Sequence, residues 1–364
     1  MKVAFLSKIN ANQKLFGGLQ ESLRNYKAVM FSFPNDKIDI FRMYEEKIIG
    51  IKRIFLIIRN ILTLRNYITS IKYEYYIINK ISNYDIIFVD GSVLGILIKK
   101  IKRKNPNIII IAFFHNVEFV QVSFYYQNKP LRKNIIRRAI FYNELWTVNY
   151  SDAFITLSNR DLAKIEELYN KKATAVIPVS FQDREIVFSR ERLNLPLIAL
   201  FLGSDFVPNI HGIKWFIENV LPYVNIKLKI IGKDIDKTNL PQNDKIEILG
   251  YVDDLEECMQ NADFIVLPIF FGSGMKVKTC ESLMHGKIIV GTHEAFEGYD
   301  LDFEKVGACC DTAKEFIKTI NEIPKIFINK FNEYSRNIFL KKYSNDITFK
   351  LFKDVFEKCI IGRK

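Results

Sequence analysis

Short apolar runs alternate along the chain with longer stretches whose apolar positions recur every three or four residues. Val3 to Ser7, Asp85 to Val89, Ile108 to Phe114, Ala153 to Leu157 and Ala175 to Ile177 each read as a strand, the second and third of them buried on both faces. Val93 to Lys102 and Asp161 to Tyr169 read as helices between them. The pattern loosens through the charged stretch Asp183 to Asn194 and then begins again. Strands are expected at Leu197 to Leu202, Lys227 to Ile231, Lys245 to Leu249 and Phe264 to Pro268, with helices at about Pro208 to Val220 and Asp253 to Asn261. From Asp311 onward the pattern is mostly helical. Such alternation predicts parallel α/β sheets, here two in series. The expected organisation is a domain over 1–180, a second over 195–340, and a C-terminal helix over 341–364 that packs back on the first.

Two stretches are amphipathic and basic. Ile48 to Ile81 is helical in period, with Ile51, Ile54, Phe55, Ile58, Ile61 and Leu62 on one side and Lys52, Arg53, Arg59 and Lys72 elsewhere. Such a stripe either packs on a core or rests on anionic lipid headgroups, and core packing is the expectation. Lys129 to Trp146 sets Lys129, Arg132, Lys133, Arg137 and Arg138 beside Ile135, Ile136, Ile140 and Phe141. It reads equally as a membrane-surface helix and as an ordinary helix with a solvated face.

Composition narrows the class. At 364 residues the chain suits two domains, and 49% hydrophobic with 26% charged residues describes a globular protein rather than a disordered one. A formal net charge of +12 favours anionic partners without choosing among nucleotide, nucleic acid and phospholipid. Met1-Lys2 leads straight into a strand-like run with no signal-peptide pattern, and no apolar run is long enough to span a bilayer, so a cytosolic protein is expected. Five cysteines, including the adjacent Cys309 and Cys310, form neither a disulfide framework nor a metal-binding spacing.

The chemistry concentrates in Phe270 to Thr292, FFGSGMKVKTCESLMHGKIIVGT, which reads as glycine loop, helix and next strand directly after a buried strand. A helix start offers unpaired N–H donors and the positive end of the dipole, so a phosphate fits on Gly274 and Met275, with Lys276 and Lys278 adding charge. Glu281, in the same helix, can accept hydrogen bonds from a sugar diol. The alternative is a plain strand-to-helix turn with a solvated lysine pair. Gly17-Gly18 after the first strand permits either close approach to a ligand or simply a turn. His115, in the run His115-Asn116-Val117-Glu118 at a strand's carboxyl end, stands where open α/β sheets bind ligands and can donate to a ligand hydroxyl or shuttle a proton, a purely structural histidine being the alternative. Spread positive charge without a stacking module argues against nucleic-acid binding.

These pieces together resemble the retaining glycosyltransferases of family 4. The resemblance is carried by IIGKD from Ile230, by Gly250 to Thr292, by Phe201-Leu202-Gly203-Ser204 with Pro208-Asn209, by Phe114 to Glu118 and by Gly17-Gly18. It implies a GT-B fold: two facing Rossmann-like, doubly wound α/β domains with an interdomain cleft and C-terminal helices. It further implies that Gly17 and Gly18 approach the donor phosphate, that Glu281 holds the ribose, and that Gly272, Ser273, Gly274 and Met275 frame the diphosphate and sugar. On the same basis Gly250, Tyr251 and Val252 lie against the base, and His115 sits beside the transferred sugar. Two departures stand out. Ser273 occupies the place where many members carry a first glutamate, and Ser204 and Asn209 replace an arginine and a lysine, leaving Lys276 and Lys278 to compensate phosphate charge.

The expected activity is retaining glycosyl transfer from a nucleoside-diphosphate sugar to an acceptor hydroxyl, with no cofactor and no metal. The expected acceptor is a growing surface glycan, lipid-linked, met at the cytoplasmic face of the membrane, with peripheral contact to anionic lipid and no nucleic-acid partner. A non-catalytic partner subunit of an active transferase, motivated by Ser273, and a nucleotide-sugar epimerase are the alternatives. The epimerase would need an acid/base set, and the motifs offer only His115 without paired carboxylates.

Overall fold

A computed structural model of the chain describes residues 1–7, 17–42, 50–65, 70–125, 130–184, 186 and 191–362, leaving aside the side chains of residues 17–19, 123–125 and 130–132. Two compact units are present, Met1–Pro178 with Thr348–Lys364, and Val179–Ile347.

The first unit is built on six parallel strands: β1 Val3–Ser7, β2 Ile38–Arg42, β3 Ile86–Asp90, β4 Ile109–Phe114, β5 Ala153–Thr156 and β6 Ala175–Val176. Their order is β2-β1-β3-β4-β5-β6. β1, β3 and β4 are buried along their whole length, as apolar runs covered by helices on both faces must be. β2 was not among the expected strands. It is a half-buried edge strand carrying Asp39 and Arg42, so it lacks the continuous apolar run that marks the others. The chain leaves β1 for one side and returns past it to β3, so the winding reverses between β1 and β3.

The last helix, Asn345–Ile361, belongs to this unit from Thr348 onward. Phe352 stacks on Phe113 with ring centroids 5.9 Å apart, and Phe356 meets Phe33 edge-on at 4.9 Å. The Arg24 guanidinium covers the Phe113 and Phe352 rings and donates to the Pro178 carbonyl at 2.9 Å.

The basic region expected as one helical stripe is two helices, Ile51–Thr63 and Ile71–Ile81; residues 48–49 and 66–69 lie outside the described residues. Leu64, at φ 56°, takes the left-handed conformation that ends the first, and the Ser70 hydroxyl caps the second by accepting from the Tyr73 N–H at 3.1 Å. The second helix buries Ile77, Ile78 and Ile81 in the ordinary way. The first does not, which overturns the expectation of core packing. Ile51, Phe55 and Leu62 are 72%, 68% and 78% exposed, whereas the buried residue is Asn60. The helix is held by its polar side, and its end is fixed where the Asn143 amide donates to the Leu64 carbonyl at 2.6 Å. Each apolar side chain left outside forgoes about 1.5–3 kcal/mol of burial. The helix Pro130–Tyr150 buries Ala139, Ile140, Asn143, Glu144, Thr147 and Val148 and leaves Ile135 exposed; Lys129 and the Arg132 side chain lie outside the described residues.

The second unit carries β7 Leu197–Leu202, β8 Ile226–Ile231, β9 Ile246–Gly250, β10 Phe264–Leu267, β11 Ile288–Gly291 and β12 Gly307–Cys309, all parallel, in the order β12-β11-β10-β7-β8-β9. Here the winding reverses between β7 and β10. β12, three half-buried residues, is too short to announce itself in the sequence. Among the described residues no helix is long and apolar enough to cross a membrane.

Candidate functional site

In the first unit, the reversal between β1 and β3 gathers polar groups at the carboxyl ends of three strands. Ser7 closes β1, Asp90 closes β3, and His115 follows β4. Asp90 is buried and accepts from the Ser7 hydroxyl at 2.6 Å, the Asn25 amide at 2.8 Å, the Ser22 hydroxyl, and His115 Nε2 at 2.9 Å. His115 Nδ1 meets the Glu21 carboxylate, also at 2.9 Å. Asn25, Ser22 and Glu21 all come from the helix Gly17–Ser32. Carboxylates accept only, so both ring nitrogens carry hydrogen and the ring is an imidazolium. Burial by itself would push its pKa down, but the Asp90 charge and hydrogen bond, joined by those of Glu21, outweigh it and raise the value to about 10. Burial would likewise raise Asp90, yet the His115 charge and the converging donors hold its carboxyl well below the usual range.

The loop bearing His115 is anchored from below. Glu144 accepts the Glu118 and Phe119 N–H groups at 2.9 and 3.1 Å, which start the helix Glu118–Tyr125, and it also accepts the Tyr169 hydroxyl at 2.8 Å. Burial lifts Glu144 to about 7 against those hydrogen bonds. Gly17 and Gly18 open the helix Gly17–Ser32, and their surroundings lie outside the described residues.

In the second unit, the loop after β10 runs through Gly272, Ser273 and Gly274 into the helix Val277–Met284. Gly274 has φ 64°, the left-handed conformation that a side chain resists, which accounts for glycine there. Lys276, at the helix N-cap, is tied back: its Nζ donates to the Gly274 carbonyl at 2.9 Å and to Glu294 at 2.5 Å. Tyr299 secures the same turn through the Lys276 carbonyl, at 2.8 Å. Met275 is buried.

Lys278 reaches instead to the end of β7. Its Nζ donates to Asn209 Oδ1 at 2.7 Å and stands 5.0 Å over the Phe201 ring. Burial, reinforced by the Lys276 charge and opposed by Glu281, lowers its pKa to about 7. Glu281 moves the other way: burial raises its carboxyl to about 7 despite Arg184 and Lys278. Among the described residues the Glu281 carboxylate makes no hydrogen bond or ion pair; its backbone carbonyl accepts from His285. Glu281, Lys278 and the glycine loop therefore assemble at the β7–β10 reversal. Gly250 stands at the end of β9, also left-handed at φ 65°, followed by exposed Tyr251 and half-buried Val252.

Glu21, Asp90 and Glu144 were missed by sequence reasoning. Asp90 had a signal, a single carboxylate ending the apolar run Ile86 to Val89. Glu21 and Glu144 sit within helical patterns and carry none. The absence of paired carboxylates near His115 is thus corrected, because two distant segments supply them.

Residues 196–323 match the family model for glycosyl transferases group 1. No curated protein matches the chain. Among solved structures, Anabaena Alr3699/HepE in complex with UDP-glucose aligns over 98% of this chain and 100% of its own, at 11% identity and a TM-score of 0.66. A glycosyltransferase from Rickettsia africae ESF-5 aligns over 99% and 98%, at 12% identity and 0.66. The fold is GT-B. A further neighbour with this arrangement, the N-terminal domain of Candida albicans trehalose-6-phosphate phosphatase, aligns over 98% and 96% at 13% identity and 0.59. Within the GT-B fold of this chain, the stretch matched by the family model runs from before β7 into the helix Ala313–Ile326, and so contains the glycine loop, Lys278 and Glu281.

Proposed function

We propose that the protein transfers a sugar from a nucleoside-diphosphate sugar to an acceptor hydroxyl with retention of configuration. The observation that carries this reading is the grouping of the glycine loop, Lys278 and Glu281, whose carboxylate has no partner among the described residues, at the β7–β10 reversal, inside the stretch that matches glycosyl transferases group 1. A fold neighbour captured with UDP-glucose supports a nucleotide-sugar donor.

In this reading the start of the helix Val277–Met284 and the loop Gly272 to Met275 receive the diphosphate. Lys278 neutralises the charge that grows as the phosphate departs, without a metal or cofactor. Glu281 accepts the ribose hydroxyls, and Gly250 to Val252 border the base. The acceptor hydroxyl attacks from the face the nucleotide leaves, and its proton passes to the departing phosphate oxygen. His115, an imidazolium bonded on both nitrogens, has no lone pair to take that proton. Its role is to position the sugar, with the ring itself fixed by Asp90 and Glu21. The acceptor is a surface glycan, lipid-linked, in polysaccharide biosynthesis at the cytoplasmic face of the membrane.

The carboxylates around His115 give the epimerase alternative an observation to rest on. Asp90, however, is buried and engaged by four donors, which leaves it unfit to abstract a substrate proton. Incubation with UDP-, GDP-, ADP- and TDP-sugars and glycan acceptors, followed by mass spectrometry and the anomeric proton coupling of the product, tests the reading. A glycosylated product with the donor's configuration supports it; an altered free nucleotide sugar with no transfer product overturns it.

A further inference from the structure

The helix Ile51–Thr63 is inside out. Ile51, Ile54, Phe55, Ile58, Ile61 and Leu62 recur at helical spacing on one side, and all are exposed, while its buried residue is Asn60. An ordinary surface helix does the reverse, and an exposed apolar stripe of this extent marks a surface that is covered in use. Charge identifies the cover. The helix carries Lys52, Arg53 and Arg59 and no acidic residue. The neighbouring helix Pro130–Tyr150, joined to it through Asn143 and Leu64, adds Lys133, Arg137 and Arg138. On that second helix a shallow groove of about 460 Å³ is lined by Phe119, Arg137 and Arg138 among others. The Arg137 guanidinium lies 4.3 Å over the Phe119 ring, and its Nε is buried with no hydrogen-bond partner among the described residues.

We infer that the helix Ile51–Thr63 lies in the plane of an anionic phospholipid surface, its apolar stripe among the acyl chains and the cations of both helices against headgroup phosphates. A thirteen-residue helix is too short to span a bilayer but suits an in-plane position, where apolar burial and attraction to anionic lipid act together. A second copy of the chain fits the same face less well, because two copies would oppose like charges across the contact. The inference is independent of the transfer reaction, since lipid binding can fail while transfer to a water-soluble acceptor persists, and the reverse.

The test is flotation of the full-length protein with vesicles of phosphatidylglycerol and phosphatidylcholine, or of phosphatidylcholine alone, without donor or acceptor. Binding is expected to the anionic vesicles only and to fall as salt rises. Phe55→Ser with Leu62→Ser is expected to lower the partition coefficient roughly tenfold or more. Lys52→Gln with Arg53→Gln should lower it by about fivefold per cation removed. The altered side chains are exposed, and an unchanged thermal melt confirms folding. Equal binding to both vesicle types, variants that bind like wild type, or a concentration-dependent dimer in sedimentation without vesicle binding would each overturn the inference.

Discussion

Replacing Lys278 by methionine separates the two lysines that follow the glycine loop. Lys276 is held by Glu294 at 2.5 Å, so its charge is already neutralised. Lys278 touches a neutral amide and an aromatic face, and burial has lowered its pKa to about 7. An arriving diphosphate therefore gains more from Lys278 than from Lys276. A hydrogen bond to a charged group contributes about 1.5–3 kcal/mol, so Lys278→Met is expected to weaken nucleoside-diphosphate binding roughly tenfold to 150-fold. The assay is isothermal titration calorimetry with nucleoside diphosphate at several pH values. As pH rises through 7, Lys278 loses its positive charge and Glu281 gains a negative one, so affinity should fall and binding should take up protons. Wild-type affinity in Lys278→Met, or a larger loss in Lys276→Met, would refute the assignment.

Four further outcomes are expected. Imidazole nitrogen resonances of His115 should remain those of the doubly protonated ring at pH 8; a titration midpoint near the ordinary histidine value would contradict the geometry. Because that pKa is raised on folding, its stabilisation is complete below the unfolded value near 6.5 and is lost as pH climbs toward about 10, so thermal stability should decline across that window. His115→Ala leaves Asp90 and Glu21 facing each other without the cation and should cost about 3–5 kcal/mol, seen as a drop in denaturant midpoint; unchanged stability would show that the ion pairs contribute nothing. Gly274→Ala forces a side chain into the left-handed region at a cost of about 1–2 kcal/mol and should weaken donor binding by displacing the loop, which a thermal melt and a binding isotherm would read together.

The two-sheet architecture was legible because its strands are buried on both faces. A run such as Ile86 to Val89 has no reason to be continuously apolar outside a covered parallel sheet. The edge strand β2 escaped for the opposite reason, since it tolerates Asp39 and Arg42 by facing solvent. The glycine loop and Glu281 were readable because turn, helix and strand follow one another locally. The ion network around His115 was not, because Glu21 lies 94 residues away and Asp90 25, and only sheet order brings them together. Nor could periodicity reveal which side of the helix Ile51–Thr63 faces water, because an amphipathic pattern has the same period whether its apolar stripe faces a core or a membrane.

The central claim is tested most directly by equilibrium binding of UDP-, GDP-, ADP- and TDP-sugars to the purified protein, with Glu281→Ala measured in parallel. One nucleotide class is expected to saturate the wild type within the micromolar to millimolar range typical of enzyme substrates, and Glu281→Ala to bind it roughly tenfold more weakly. Failure of every donor to bind at millimolar concentration, or identical isotherms for wild type and Glu281→Ala, would contradict the account.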